Sequence, residues 1–268
     1  MELILIIPSL IGLLLVSFSI PSWIRGAKRV GLAGKDMHKN SNEAIAEAGG
    51  IIVLLGFIFG VLSYVAIKVF YFKSTDNLIE IFALISSILI IGLIGFVDDI
   101  FGWKIGLNKK TRIFLLIIAA LPLIVINTGN SEMIEIKFGL IYPLFFIPFG
   151  IVGATTTFNF LAGYNGLETS QGILILSSLA LVVWFAKSSW LGIISLVMVF
   201  CLIGFYLFNK YPAKVFPGDV LTYPIGSLIA MLAIFGGIEK IAIFFFTPYI
   251  IETVLKIRGK LKKKALQR

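Results

Sequence analysis

Long apolar runs are the feature that most limits what this chain can fold into. Of its 268 residues 59% are apolar and only 14% are charged, and the mean hydropathy is +1.02. Soluble domains carry about a quarter charged residues, so water is not the main solvent of this chain. The sequence therefore predicts an all-α polytopic membrane protein with one transmembrane domain, residues 1–257, and a basic cytoplasmic tail, residues 258–268.

Nine apolar segments have the character of membrane spans. A helix needs about 20 mostly apolar residues to cross the hydrocarbon core of a bilayer. The predicted spans are 3–23, 44–70, 78–97, 113–126, 140–155, 172–186, 190–208, 221–235 and 241–257. The fourth, fifth and eighth are short.

The basic residues fall mainly on one side of this arrangement. Most of the 23 Lys and Arg residues lie in the connections after spans one, three and seven, or in the tail, all on the side of the odd-numbered connections. Because cytoplasmic loops carry an excess of Lys and Arg, these connections and the C-terminus are predicted inside and the N-terminus outside. The net charge of +9 then faces membrane lipid, and no nucleic acid partner is expected. The single His38 excludes a site of several histidines.

The polar residues of interest lie on the same predicted cytoplasmic face. They occupy four stretches: 34–47, Asp98-Asp99 with Lys109-Lys110, 159–168 and 214–219. Neighbouring residues of a helix point in different directions, so Asp98 and Asp99 would do different jobs; the alternative is a pair of solvated loop acids. Together the four stretches predict a cytoplasmic site for a Mg²⁺-bound diphosphate.

Each remaining residue has a functional and a plainer interpretation. Asp219 follows a Pro-Gly turn and is either a metal ligand or a helix N-cap. Phe216 is either a stacking surface for a base or an interfacial anchor. Asn159 and Asn165 offer amide groups to a metal or a uracil, or simply make turns. Glu168 is also consistent with an acid facing a helix dipole.

Lysines at this face have two interpretations of their own. Lys39, Lys109 and Lys110 lie near the acids in the sequence. Lysines at a cytosolic face pair with anionic lipid head groups, whereas acids and lysines together suit a metal-bound diphosphate.

Five segments together resemble a known family. They are 34–39 with 47–50, 95–99, 159–168, 215–223 and 244–248. This set resembles the polyprenyl-phosphate N-acetylhexosamine-1-phosphate transferases, and within them the archaeal and eukaryotic branch that uses UDP-GlcNAc and dolichyl phosphate. The resemblance spans nearly the whole chain.

The resemblance implies a reaction and a cofactor. A polyprenyl or dolichyl phosphate attacks the β-phosphorus of a UDP-sugar, UMP leaves, and a polyprenyl-diphospho-sugar forms as the first step of lipid-linked glycan assembly. It also implies Mg²⁺, with Mn²⁺ as an alternative, on Asn159 and Asp219.

The resemblance also assigns the other residues. Catalytic positions would be Asp98, Asp99, Lys109, Lys110 and Lys39, and substrate-binding positions would be Asn165, Phe216, Glu47, Asp36 and Glu168. It implies the plasma membrane of an archaeon and a homodimer, which is common in the family.

Three features depart from the family pattern. Ten spans are usual, whereas nine are predicted here. An Arg/His-rich motif normally follows span nine, where this sequence has the lysine-rich residues 258–268, and Thr156 stands where Asn is common. An inactive family member therefore stays open as an alternative, and a transporter or flippase for lipid-linked sugars is a second one.

Overall fold

The structure, a computed structural model, describes residues 3–36, 44–127, 132–133 and 136–259. Helices account for most of these residues. They are α1 (Ile7–Val30), α2 (Gly50–Ala66), α3 (Leu78–Ile105), α4 (Lys109–Ala119), α5 (Leu121–Ile126), α6 (Ile147–Phe160), α7 (Leu167–Phe185), α8 (Ser189–Asn209), α9 (Asp219–Gly236) and α10 (Glu239–Arg258). A 3₁₀ turn, Leu3–Ile6, leads into α1, and π-helical turns, Ile67–Tyr71 and Tyr142–Phe146, extend α2 and precede α6.

Seven helical stretches among the described residues are long and apolar enough to cross a membrane. They are Ile4–Val30, Gly50–Tyr71, Leu78–Phe101, Tyr142–Phe160, Leu167–Phe185, Ser189–Asn209 and Asp219–Gly236. This confirms the prediction of an all-α polytopic membrane protein. The predicted fourth span is divided into α4 and α5, which meet at Ala120, and the ninth is α10. The count of nine spans, the orientation and the division at residue 258 stay predictions.

Several predicted helix boundaries were wrong. Residues 44–46 form a strand and α2 starts only at Gly50, because Ala46, Gly49 and Gly50 bond to the segment that precedes α9. Helix α3 continues past Val97 to Ile105, and α6 continues past Thr155 to Phe160. In both cases the apolar run ends before the helix does. The predicted boundary is therefore the end of the apolar run and not the end of the helix.

Helix α9 is at the centre of the bundle. Its residues from Val220 to Ala233 are buried, and it packs against α3 and α6 and also contacts α2, α7, α8 and α10. A helix that is apolar all round lies in a protein core or faces lipid, and the contacts with helices around it show that α9 lies inside the protein. Two glycines let its neighbours approach closely: a Cβ on Gly95 would lie 2.5 Å from Asp219 O, and a Cβ on Gly226 would lie 2.5 Å from Ala154 O.

A small hairpin joins the connections at one end of the bundle. Strand β1 (Ala33–Lys35) pairs antiparallel with β2 (Ala44–Ala46), with Ala33 opposite Ala46. Ala46 also forms a parallel bridge with Val215, so the segment before α9 lies beside the hairpin. A second hairpin, β3 (Glu132–Met133) and β4 (Ile136–Lys137), lies between α5 and α6.

Candidate active site

The acidic pair lies within helix α3 and not in a loop. Asp98 and Asp99 both precede the end of the helix at Ile105. Asp98 is buried, with a relative accessibility of 6%. The interpretation as solvated loop acids was therefore wrong: both carboxylates have protein partners, and these partners differ.

Asp98 is held by cationic and neutral donors. Its Oδ1 accepts a hydrogen bond from Leu107 N at 2.7 Å. Its Oδ2 forms an ion pair with Arg112 and accepts a hydrogen bond from the Tyr223 hydroxyl at 3.3 Å. The Arg112 guanidinium also lies over the Tyr223 ring, 5.7 Å from its centroid. A buried carboxylate needs such a partner, because removing an unpaired charge from water is costly.

Asp99 binds the start of helix α9. Its Oδ1 accepts a hydrogen bond from Asp219 N at 2.8 Å, and its Oδ2 accepts one from Val220 N at 3.0 Å. The first amide groups of a helix have no partner within it, and the residue at the N-cap position, Gly218, has no side chain to supply one. Asp99 thus does for α9 what an N-cap side chain normally does.

Asp219 is the first residue of α9, and it is not the N-cap that the plainer interpretation predicted. Its carboxyl interacts with Asp98 and with the Tyr223 hydroxyl, and it lies within electrostatic reach of Arg112. Three carboxyl groups and one guanidinium therefore meet where α3, α4 and α9 come together.

Asn159 lies in the last turn of α6, and therefore in a helix and not a turn. Its Oδ1 accepts a hydrogen bond from the Thr222 hydroxyl at 3.1 Å. Thr222 follows Asp219 by three residues on α9, and residues three apart share a helix face. Asn159 is thus on the side of α9 that carries Asp219, which brings the two predicted metal ligands to one region.

The donor set suits a metal only together with a substrate. In the parts of the chain that the structure describes, no three His, Cys, Asp or Glu side chains form a metal-binding group. Mg²⁺ is normally bound by one or two carboxylates plus waters and substrate phosphates. Asp219 at the start of α9 and Asn159 of α6, whose amide oxygen contacts α9 on the side of Asp219, fit that pattern.

The connection between α6 and α7 is held by two polar contacts. Glu168 Oε1 accepts a hydrogen bond from Gly163 N at 2.7 Å, across the connection. Asn165 Nδ2 donates to Asp36 Oδ2 at 2.9 Å, which ties the connection to the first hairpin. Glu168 is buried, and its Oε2 has no hydrogen-bond partner among the described residues. The role of Glu168 in the structure is thus to fix this loop.

Glu47 and Phe216 lie on the hairpin side of the site. Trp23 Nε1 donates to Glu47 O at 3.0 Å, and the Glu47 side chain covers Gly34. Partial burial raises the pKa of the Glu47 carboxyl above its ordinary value. Phe216 is half-buried, and its backbone N–H donates to Ala46 O at 2.8 Å. No contact recorded in the described parts joins either side chain to the three aspartates.

Two of the predicted lysines lie outside the buried cluster. Lys109 and Lys110 are exposed in the first turn of α4, and Lys39 lies outside the described residues. The cation that contacts the acids is Arg112, which the sequence had marked only as a basic residue of this face. One feature of the sequence could have identified Arg112. It stands at the start of an apolar helix, where a charged side chain needs a partner unless it reaches the membrane surface. Tyr223 gave no comparable signal.

The chain is similar over most of its length to archaeal proteins with one shared name. It is 37% identical to a Saccharolobus solfataricus protein over 96% of this chain and 79% of that protein. It is 32% identical to a Sulfolobus acidocaldarius protein over 95% of this chain and 80% of that protein. Both are provisionally named UDP-N-acetylglucosamine–dolichyl-phosphate N-acetylglucosaminephosphotransferase.

The chain is also similar to bacterial proteins, and it matches the sequence pattern of a protein family. The chain is 28% identical to the phospho-N-acetylmuramoyl-pentapeptide-transferase of Streptococcus agalactiae, over 92% of this chain and 78% of that protein. The sequence pattern of glycosyl transferase family 4 matches residues 81–237, which include the three aspartates and the α6–α7 connection. The match covers more than half of the chain, in agreement with the resemblance seen in its motifs. The chain therefore belongs to glycosyl transferase family 4.

Proposed function

We propose that this protein transfers a HexNAc-1-phosphate group, with GlcNAc as the sugar, from a UDP-sugar to a polyprenyl or dolichyl phosphate. The products are UMP and a polyprenyl-diphospho-sugar, the starting material of a lipid-linked glycan. Family membership and the names of the archaeal and bacterial relatives support this reaction. Both substrates are anionic at the reacting end, and the acceptor is a membrane lipid.

The observation that carries the proposal is the cluster of Asp98, Asp99, Asp219 and Arg112. It combines charged groups in a partly buried position at the ends of apolar helices. Phosphoryl transfer requires positioning and neutralisation of charge more than covalent chemistry by the protein. An ionisable group at a membrane helix is costly, so a cluster of four indicates function.

Asp219 and Asn159 would hold Mg²⁺, with Mn²⁺ as the alternative. When bound, the ion would neutralise charge on the diphosphate and on the departing UMP. The side chains fit this task because Asp219 begins α9 and Asn159 contacts Thr222 one turn further along. Oxygen donors of this type suit hard divalent ions.

The remaining steps rest on residues of the chain itself. An oxygen of the lipid phosphate forms the new bond to the β-phosphorus, and the bond from that phosphorus to the bridging oxygen breaks. UMP departs with this oxygen and its electron pair. Asp98, which forms an ion pair with Arg112, would keep that guanidinium in place beside the reacting phosphates. Exposed Lys109 and Lys110 would attract the lipid phosphate, and Lys39 would add to this positive field.

The nucleotide would bind beside the α6–α7 connection. Asn165 would contact the uracil, with Phe216 stacking on the ring. Asp36, which accepts a hydrogen bond from Asn165, would orient that amide. Glu168 would set the loop conformation, and Glu47 would shape the neighbouring hairpin.

We further propose the setting of the reaction. The protein would lie in the plasma membrane of an archaeon, with the aspartate cluster facing the cytoplasm, where UDP-sugars are available. The protein would form a homodimer, which is common in the family.

The proposal is tested with purified protein in detergent. UDP-GlcNAc, a polyprenyl phosphate and Mg²⁺ should yield UMP and a lipid-linked sugar, and omission of the lipid should stop UMP release. Nucleotide binding without turnover would contradict the proposal and indicate an inactive family member. Substrate exchange across liposomes without UMP formation would contradict it in favour of transport.

A further inference from the structure

We infer that Asp99 is a positioning residue, which caps helix α9 from the neighbouring helix α3 and thereby fixes the direction of Asp219. The inference rests on the proposed function for the role of Asp219. It assigns Asp99 a task different from that of Asp98, although the two carboxylates are adjacent in the sequence.

Both oxygens of the Asp99 carboxylate bond to the start of α9. They accept hydrogen bonds from the first two amide groups of α9, Asp219 N at 2.8 Å and Val220 N at 3.0 Å. A carboxylate at a helix N-terminus also interacts favourably with the helix dipole. These two amide groups are therefore not available to a substrate phosphate, and the Asp99 oxygens are directed toward the protein backbone.

Little free space surrounds the Asp99 carboxylate at this contact. Gly218 has a φ of +73° and a ψ of 172°, a conformation that is essentially restricted to glycine. A Cβ at this position would lie 2.8 Å from Asp99 Cγ and closer still to one of its oxygens. On the other side, a Cβ on Gly95 would lie 2.5 Å from Asp219 O. Helices α3 and α9 thus meet almost backbone to backbone at the residue that Asp99 holds.

Asp98, the neighbouring acid, has partners of a different kind. Asp98 contacts the side chains of Arg112 and Tyr223 and interacts with the Asp219 carboxyl. Asp99 instead bonds the main chain of Asp219. One acid of the pair therefore faces the charged cluster, and the other sets the backbone from which Asp219 projects.

The experiment compares Asp99→Asn and Asp99→Ala with the unaltered protein in detergent. Asparagine keeps the size and one acceptor oxygen, whereas alanine removes the cap. Binding of Mn²⁺ in the presence of UDP-sugar, without lipid, is followed by electron paramagnetic resonance. Loss of an N-cap predicts Mn²⁺ binding that is weaker by roughly threefold for asparagine and roughly 30-fold for alanine. Glu80→Gln, in the first turn of α3 at the other end of the helix, is the matched control and should leave Mn²⁺ binding unchanged.

A second readout reports the cap itself. Hydrogen–deuterium exchange of a peptide covering residues 217–223 should become faster in the order unaltered protein, asparagine variant, alanine variant. The lipid KM should stay within about twofold, because the capping oxygens point at the backbone. Size-exclusion profiles establish that each variant is folded before it is compared.

Two results would overturn the inference. One is exchange and Mn²⁺ binding equal to those of the unaltered protein together with lost turnover, because Asp99 would then act on the reacting groups. The other is an equal loss of turnover in both variants with unchanged Mn²⁺ binding. Failure of the proposed function is distinguishable, because the unaltered protein would then release no UMP while the exchange readout still reports the cap.

Discussion

The junction of α3 with α9 and the connection between α6 and α7 both hold polar groups, yet they are built differently. At the junction, glycines allow two helices to touch, and a carboxylate bonds directly to main-chain amides. The connection has no helix from residue 161 to 166, and side-chain contacts hold it: Glu168 to Gly163 and Asn165 to Asp36.

The two regions suit different parts of the proposed reaction. Charged groups that act on a transferring phosphate need positions fixed to a fraction of an ångström, and regular elements provide this better than loops do. Recognition of a nucleotide tolerates a loop, provided that the loop is tethered. Substitutions at the junction should therefore impair turnover, and substitutions in the connection should mainly impair nucleotide binding.

The largest effect is expected from Asp219→Ala. Loss of this carboxylate removes a proposed metal ligand and unbalances the charge of the cluster, so turnover should fall by at least about 1,000-fold. UMP release at saturating substrates is the measurement. Asp76→Ala, an exposed acid before α3 that bonds Ser74, is the control and should keep normal turnover. An Asp219→Ala variant with normal turnover would show that the metal assignment is wrong.

Gly218→Ala should have the next largest effect. Its Cβ would overlap Asp99, and its backbone conformation excludes other residues, so turnover should fall by at least about 30-fold. Gly237→Ala is a matched control, because Gly237 follows the opposite end of α9 with a φ of +61° and open space around its Cβ position. Equal turnover of the two variants would contradict the close α3–α9 contact.

Arg112→Ala tests which cation matters at the junction. The buried Asp98 would lose its ion pair, and turnover should fall by about 100-fold. The double variant Lys109→Ala/Lys110→Ala should instead raise the lipid KM by several-fold, because exposed charges act at longer range. Steady-state kinetics with varied lipid phosphate separates a loss of turnover from a rise in the lipid KM. A larger loss of turnover in the double lysine variant would place the essential cation on the surface of α4.

The smallest effect is expected in the connection. Glu168→Ala removes the acceptor for Gly163 N and should raise the KM for the UDP-sugar by about tenfold, with little change in maximal rate. Glu168→Gln retains an acceptor oxygen and should stay within about threefold of the unaltered protein. Steady-state kinetics with varied UDP-sugar measures the KM and the maximal rate of both variants. If the glutamine variant were as impaired as the alanine variant, the charge of Glu168 would matter more than its hydrogen bond.

The sequence was sufficient for the fold class and for the set of polar stretches that come together. Apolar runs predicted the helices, and the polar stretches that interrupt them identified Asp98, Asp99, Asn159 and Asp219 as candidates. The end of α3 was predicted too early because hydropathy does not report that Asp98 is paired with Arg112 and Asp99 with the start of α9.

The differing roles of Asp98 and Asp99 could not be derived from their spacing alone. The spacing predicted that the two side chains diverge, which the structure shows. It could not predict that Gly95 and Gly218 bring α9 against α3, because that contact joins segments about 120 residues apart. Tyr223 was missed for the same reason, because it lies 125 residues from Asp98, whose carboxylate it contacts.

The most direct measurement follows the β-phosphate of the donor. UDP-GlcNAc labelled with ³²P at the β-position is incubated with the purified protein, a polyprenyl phosphate and Mg²⁺, and the lipid and nucleotide fractions are separated. Transfer of a sugar phosphate predicts that the label enters the lipid as a diphosphate and that the released UMP is unlabelled. Label that stays in the nucleotide fraction as UDP, with sugar alone on the lipid, would contradict the account.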